Sequence, residues 1–358
     1  MSRAHNFSAG PAVLPLSVIE QLAAALPEFQ GTGQGLMELS HRSPAFDGVH
    51  RSAEARLRRV LSIPDDYAVI FLQGGASLQF HMTALNLLSE GESADFVVTG
   101  TWAQKGLVEA QRIRAGRAAW DGKDTRFDRL PESVQTDSNA SYLHYTTNNT
   151  IYGTQFTRHP DVGDLPLVAD MSSDICSRPI DVGAHGLIYA GAQKNLGPSG
   201  VTAVILSPWA LDKSPGGLNP MLDYTLQVEK RGLFNTPNTF GIYALERVLA
   251  WIEDMGGLHA MAQQNQAKAA LLYSEIDRTE FWSGHAVSNA RSEMNITFRT
   301  PSAELDTRFV QEADQAGLKG LKGHRSVGGL RASTYNACPP ESVEALVSFM
   351  KDFEKTHG

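Results

Sequence analysis

From residue 16 to about residue 250 the chain alternates short apolar runs with longer amphipathic stretches, and no other feature constrains its fold as tightly. The apolar runs are "AVIFLQ" (68–73), "DFVVTG" (95–100), "YLHYTT" (142–147), "LPLVAD" (165–170), "GLIYAG" (186–191) and "VTAVIL" (201–206). Several lack polar alternation, as strands covered by helices on both faces do. Between them Phe46, Val49, Ala53, Leu57, Val60 and Leu61 recur at helical spacing, and "IPDDY" (63–67) breaks that helix before the next strand. The alternation predicts an α/β unit. Beyond residue 240 the texture changes. Helical patterns at 239–257 and 260–276, a strand at 294–298, a helix near 302–316 and a C-terminal helix after "PPE" (339–341) predict a smaller α+β unit. The 358 residues suffice for about two domains. We expect a large domain over 16–250 and a small one made of 1–15 and 251–358.

Composition narrows the function. A formal charge of −8 argues against a nucleic-acid partner, and the one basic run, "RLRR" (56–59), is flanked by apolar residues at helical spacing. Cys176 and Cys338 lie far apart without metal-like spacing, so neither a disulfide framework nor a zinc site is signalled. The N-terminal stretch lacks the apolar core of a secretory signal, and no apolar run reaches the ~20 residues needed to span a bilayer. A soluble, cytoplasmic protein is the expectation.

Three segments carry chemistry. In "IFLQGGASLQFHMTAL" (70–85) an apolar strand meets two glycines and then a helix, so the amides of 75–77 can face an anion at a helix N-terminus. It is neither a Walker A loop nor G-x-G-x-x-G, and a plain strand-to-helix turn reads equally well. Asp170 ends an apolar run, where ligands bind in open α/β sheets; capping the next turn is its alternative. Lys194 follows another such run. A lysine at a sheet edge is ordinarily just solvated, yet Gly191, Ala192, Gly197, Ser199 and Gly200 leave room beside its amine.

A phosphate cradle, a carboxylate and an imine-forming amine are what pyridoxal 5'-phosphate (PLP) requires. Trp102 follows a strand and can stack on the ring, with plain packing as its alternative. Thr150 can bond the ring hydroxyl, with a local turn bond as its alternative.

With these residues in hand, the sequence resembles the phosphoserine aminotransferase family, homodimeric PLP enzymes of the class V aminotransferase group. The resemblance rests on "NFSAGPAVLP" (6–15), "ELSHRSPAF" (38–46), "SRPIDVGAHGLIYAGAQKNLGPSG" (177–200), "FNTPNTF" (234–240) and "LKGHRSVGGLRASTYNA" (321–337), and so runs nearly end to end. It implies the aspartate-aminotransferase-like fold (fold type I), with a mixed, mostly parallel sheet flanked by helices. It implies that Lys194 holds the cofactor aldehyde and that Ala76, Ser77 and Gln193 contact its phosphate. Trp102 stacks on its ring, while Thr150 and Asp170 bind the ring hydroxyl and nitrogen. Asn235 and Thr236 reach the phosphate from the neighbouring subunit. Arg331 grips the substrate α-carboxylate, a task suited to a bidentate guanidinium. His41 and Arg42, across the interface, and His324 and Arg325 take the far anionic group of either substrate.

The implied reaction is reversible transamination of L-glutamate and 3-phosphohydroxypyruvate to 2-oxoglutarate and O-phospho-L-serine. A parallel role on a phosphorylated hydroxythreonine in PLP biosynthesis belongs to the same resemblance. Two departures bear on substrate preference. Ala9 stands where some members have serine, and Ser77 where some have arginine. The competing readings are a cysteine desulfurase, for which neither Cys176 nor Cys338 is well placed, an aminotransferase for small neutral amino acids, and a silent PLP-binding scaffold.

Overall fold

The computed structural model describes residues 3–358. In chain order, strand β1 (His5–Asn6) and helices α1 (Leu16–Ala25) and α2 (Pro44–Leu61) precede β2 (Ala68–Leu72), α3 (Gly75–Leu87), β3 (Ser93–Val98) and α4 (Thr101–Ile113). Strands β4 (Ala115–Asp121), β5 (Ala140–Thr146), β6 (Leu167–Asp170), β7 (His185–Gly191) and β8 (Thr202–Leu206) follow. Helices α5 (Pro208–Lys213), α6 (Tyr224–Glu229), α7 (Thr239–Asp254) and α8 (Gly257–Ile276) lead to β9 (Ser283–Gly284), β10 (Asn295–Arg299), α9 (Ala303–Gln315), β11 (Leu318–Lys319), β12 (Leu330–Ser333) and α10 (Pro340–His357).

The central sheet has seven strands in the order β2-β8-β7-β6-β5-β3-β4. All neighbours from β7 to β4 are parallel, whereas β8 runs antiparallel to both β7 and β2. Consequently β2, β3, β5, β6 and β7 all end at one edge, and β8 begins there. The sheet is thus mixed and mostly parallel.

Its strands are buried on both faces, which is why they read as unbroken apolar runs. Val69 and Phe71 pack into a core under α1, α2 and α7, while their neighbours Ile70 and Leu72 point into a second core under α3, α4, α5 and α6. The edge strand β4 was not expected from the sequence. Its run "AGRAAWD" is mostly exposed and carries no apolar stripe, so no periodicity marks it. Helices α5 and α6, six residues each, are also too short to show a pattern. The helical pattern read over 239–257 ends at Asp254, because Gly256 takes φ +95° and starts α8 in a new direction.

A third hydrophobic cluster joins Phe7 and Val13 to residues of α8–α10, β10 and β12. A buried polar chain links it to the sheet. Asn148 Nδ2 donates to Asn295 Oδ1 at 2.7 Å, Asn295 Nδ2 donates to Ser333 Oγ at 2.9 Å and to the Tyr335 hydroxyl at 3.1 Å, and that hydroxyl donates to Ala9 O at 2.8 Å. Lys268, 2% exposed, donates to the carbonyls of Thr334, Tyr335 and Cys338 at 3.0, 2.8 and 3.1 Å. Among the described residues no helix is long and apolar enough to cross a membrane.

Candidate active site

The segments that leave the shared edge of the sheet close around a cavity of about 340 Å³. After β2 the chain turns through Gly74 at φ +89°, where a Cβ would lie 2.6 Å from Leu78 Cβ, and α3 starts without a side-chain cap. Its first amides therefore lack partners within the helix and face the cavity beside Ala76 and Ser77. After β3, Gly100 lets the start of α4 approach Asn149, whose amide nitrogen bonds the Thr99 carbonyl, and this seats Trp102 on the wall.

After β5 comes Thr150. Its hydroxyl accepts a hydrogen bond from Lys194 Nζ at 2.7 Å, and its carbonyl accepts one from Arg331 Nη1 at 3.0 Å. Asp170, the last residue of β6, is 4% exposed and accepts from Ser172 N at 2.9 Å. Burial pushes its carboxyl up, against the pull of Ser172 and Lys194, so it is a carboxylate short of a cation. Lys194 sits in the short connection from β7 to the antiparallel β8. Burial holds its amine down to about 8, with Asp170 pulling it up and Arg331 pushing it down.

Lys194, Asp170, Thr150, Trp102, Ala76, Ser77, Gln193, His324 and Arg331 all line this one cavity. His41, Arg42, Asn235, Thr236 and Arg325 do not. Arg42 lies in the turn before α2, where its N–H bonds Ser40 Oγ at 3.2 Å. The Thr236 carbonyl accepts from Gln73 Nε2 at 3.3 Å, next to the glycine turn. Reading the sequence missed Thr146, Asn148, Ile151, Ser172 and Ser173, which also line the cavity. The available signal was adjacency, since all of them flank the ends of β5 and β6.

Trp102 Nε1, Thr146 Oγ1 and Arg331 Nε are buried in this wall without a hydrogen-bond partner. An amide cradle, an uncompensated acid, an amine of lowered basicity and orphaned donors fit a flat anionic cofactor such as PLP. Among the described residues no three His, Cys, Asp or Glu side chains group as a metal site. The sequence pattern described as "Aminotransferase class-V" matches residues 4–346.

The chain belongs to the class-V aminotransferases. This aminotransferase is 52% identical over 358 residues to the phosphoserine aminotransferase of Geobacillus kaustophilus, covering 99% of each. The solved phosphoserine aminotransferase from Bacillus circulans subsp. alkalophilus superposes on it with a TM-score of 0.97, at 50% identity over 99% of both chains. A PLP-bound phosphoserine aminotransferase from Trichomonas vaginalis gives 0.93 at 37% identity, over 98% of this chain and 100% of that one.

Proposed function

We propose that this class-V aminotransferase is a PLP-dependent phosphoserine aminotransferase, interconverting L-glutamate and 3-phosphohydroxypyruvate with 2-oxoglutarate and O-phospho-L-serine in serine biosynthesis. The observation that carries the reading is the end-to-end likeness to phosphoserine aminotransferases at about half identity, on a chain whose cavity has the chemistry the cofactor needs. When bound, PLP supplies an electron sink that makes the substrate α-proton removable.

The chain's own residues do the rest. The α3 amides at Ala76 and Ser77, with Gln193, hold the cofactor phosphate. Asp170 gains the cation it lacks by pairing with the protonated ring nitrogen, Trp102 covers the ring, and Thr150 bonds its hydroxyl. Lys194, with an amine near neutrality, takes the α-proton from the amino donor and later delivers a proton to the α-carbon of the product amino acid. Arg331 binds the α-carboxylate, and its orphaned Nε supports that role.

His41, Arg42, Asn235 and Thr236, which do not line their own chain's cavity, complete the site of a second copy, so the working unit is a homodimer in the cytoplasm. His324 and Arg325 share the far anionic group with the first two. Activity on a phosphorylated hydroxythreonine extends the same substrate chemistry. The division into a unit at 16–250 and one at 1–15 and 251–358 belongs to this reading too, supported by the third cluster, which recruits Phe7 and Val13.

The purified holoenzyme is expected to show a visible absorbance band that bleaches with glutamate, and to prefer phosphoserine to alanine as amino donor. Equal efficiency with both donors refutes the substrate assignment, and absence of the band refutes the enzyme reading altogether.

A further inference from the structure

Four basic side chains stand at or beside the cavity, and among the described residues none of them is held in an ion pair. Arg331 and His324 line it, Arg325 follows in the same loop, and Lys105 projects from α4 one turn beyond Trp102. The Lys105 ammonium stands 4.6 Å from the Trp102 ring centroid. Among the described residues none of the four lies within 4.0 Å of a carboxylate oxygen, whereas Arg56, Arg117, Arg278 and Arg291 each have one. That imbalance occurs in a chain with 39 aspartates and glutamates and only 31 lysines and arginines. Three of them act on the fourth. Burial, then the charges of Arg331, Arg325 and Lys105, depress the basicity of the His324 imidazole. Like charges held together without counterions are unfavourable, and an arriving anion relieves them.

We propose that Lys105 is a further substrate-binding residue, which joins His324 and Arg325 in receiving the far anionic group and favours a doubly charged phosphate over a carboxylate. This rests on the function proposed above. A phosphate monoester carries nearly two charges and three acceptor oxygens at neutral pH, so each added cation stabilises it about twice as much as a carboxylate. The glycine turn contributes no charge of its own at Ser77, so the extra cation comes from the wall beside it. A lysine suits the position because its compact charge rides on a flexible stem that can swing from the Trp102 face toward the ligand.

The test is Lys105→Met in the holoenzyme, with kcat/KM measured for phosphoserine and for glutamate at low and high potassium chloride. At low salt the phosphoserine value is expected to fall about 5- to 10-fold and the glutamate value about 2-fold, with the gap closing as salt screens the site. Lys105→Arg should keep the preference. Lys355→Met on α10, an equal change in net charge, should alter neither value. Equal losses for both donors, or no loss, overturn the assignment of Lys105 while leaving the function intact. A wild-type enzyme that does not accept phosphoserine overturns the function first, and Lys105 with it.

Discussion

The depressed basicity of Lys194 sets how the cofactor-free protein captures PLP. Only the neutral amine attacks an aldehyde, and burial holds this one at about 8 instead of the ordinary lysine value of 10.5. At pH 7 about a tenth of the amine is then neutral, against about 0.03% for an ordinary lysine, a gain of roughly 300-fold. The sign follows from the lowered value. Below pH 8 the rate of covalent capture, followed by visible absorbance after adding PLP to the apoprotein, should rise about tenfold per pH unit, and above it should level off. The Arg331 charge contributes to the depression, so Arg331→Gln should move the inflection to higher pH. An inflection near that of a free lysine, or one that Arg331→Gln leaves in place, refutes the reasoning.

Two further predictions concern stability. Lys268→Met keeps the apolar stem but takes the charged donor from three buried carbonyls, of which Tyr335 O keeps its bond from Cys338 N at 2.9 Å, and should cost about 2–4 kcal/mol, since bonds from a charged donor are worth about 1.5–3 kcal/mol each before its desolvation is offset. Urea unfolding at pH 7 measures it, and a loss under about 0.5 kcal/mol contradicts the account. Asp95 is fully buried and accepts from Arg117 Nε at 2.9 Å, from Arg117 Nη2 at 2.6 Å and from Asp137 N at 2.6 Å. Asp95→Ala should loosen β4 from β3 at a cost of about 2–3 kcal/mol, read as a lower Tm and faster amide exchange in 115–121; unchanged exchange there rules it out.

Burial decided what the sequence could disclose. The five inner strands and the edge strand β2 were legible because each is covered on both faces, so composition alone marks them. The reversal of β8 was not, since "VTAVIL" has the same texture whichever way it runs. β4 was hidden by its exposure. In the site, Lys194 and Asp170 were legible because a charged residue at the end of an apolar run is conspicuous. Asn148, Ser172 and Lys105 were not. Small polar residues in a turn and a lysine on a helix are commonplace, and only the fold brings them to or beside one cavity.

The N-terminal segment is fastened at both ends. His5 and Asn6 pair with Leu318 and Lys319, Phe7 lies in the third cluster, and five residues later Ala12 N–H bonds the carbonyl of Gln193, directly before Lys194. Between these points the Tyr335 hydroxyl holds Ala9 O. Its backbone is held at Phe7, Ala9 and Ala12, so few residues between are free to absorb a change. One residue added or removed between Phe7 and Ala12 must either pull β1 off β11 or drag on the backbone that carries the reactive amine. A stretch remote from the lysine in sequence is therefore closed to changes of length, and any grafted loop or peptide insertion belongs elsewhere on the molecule.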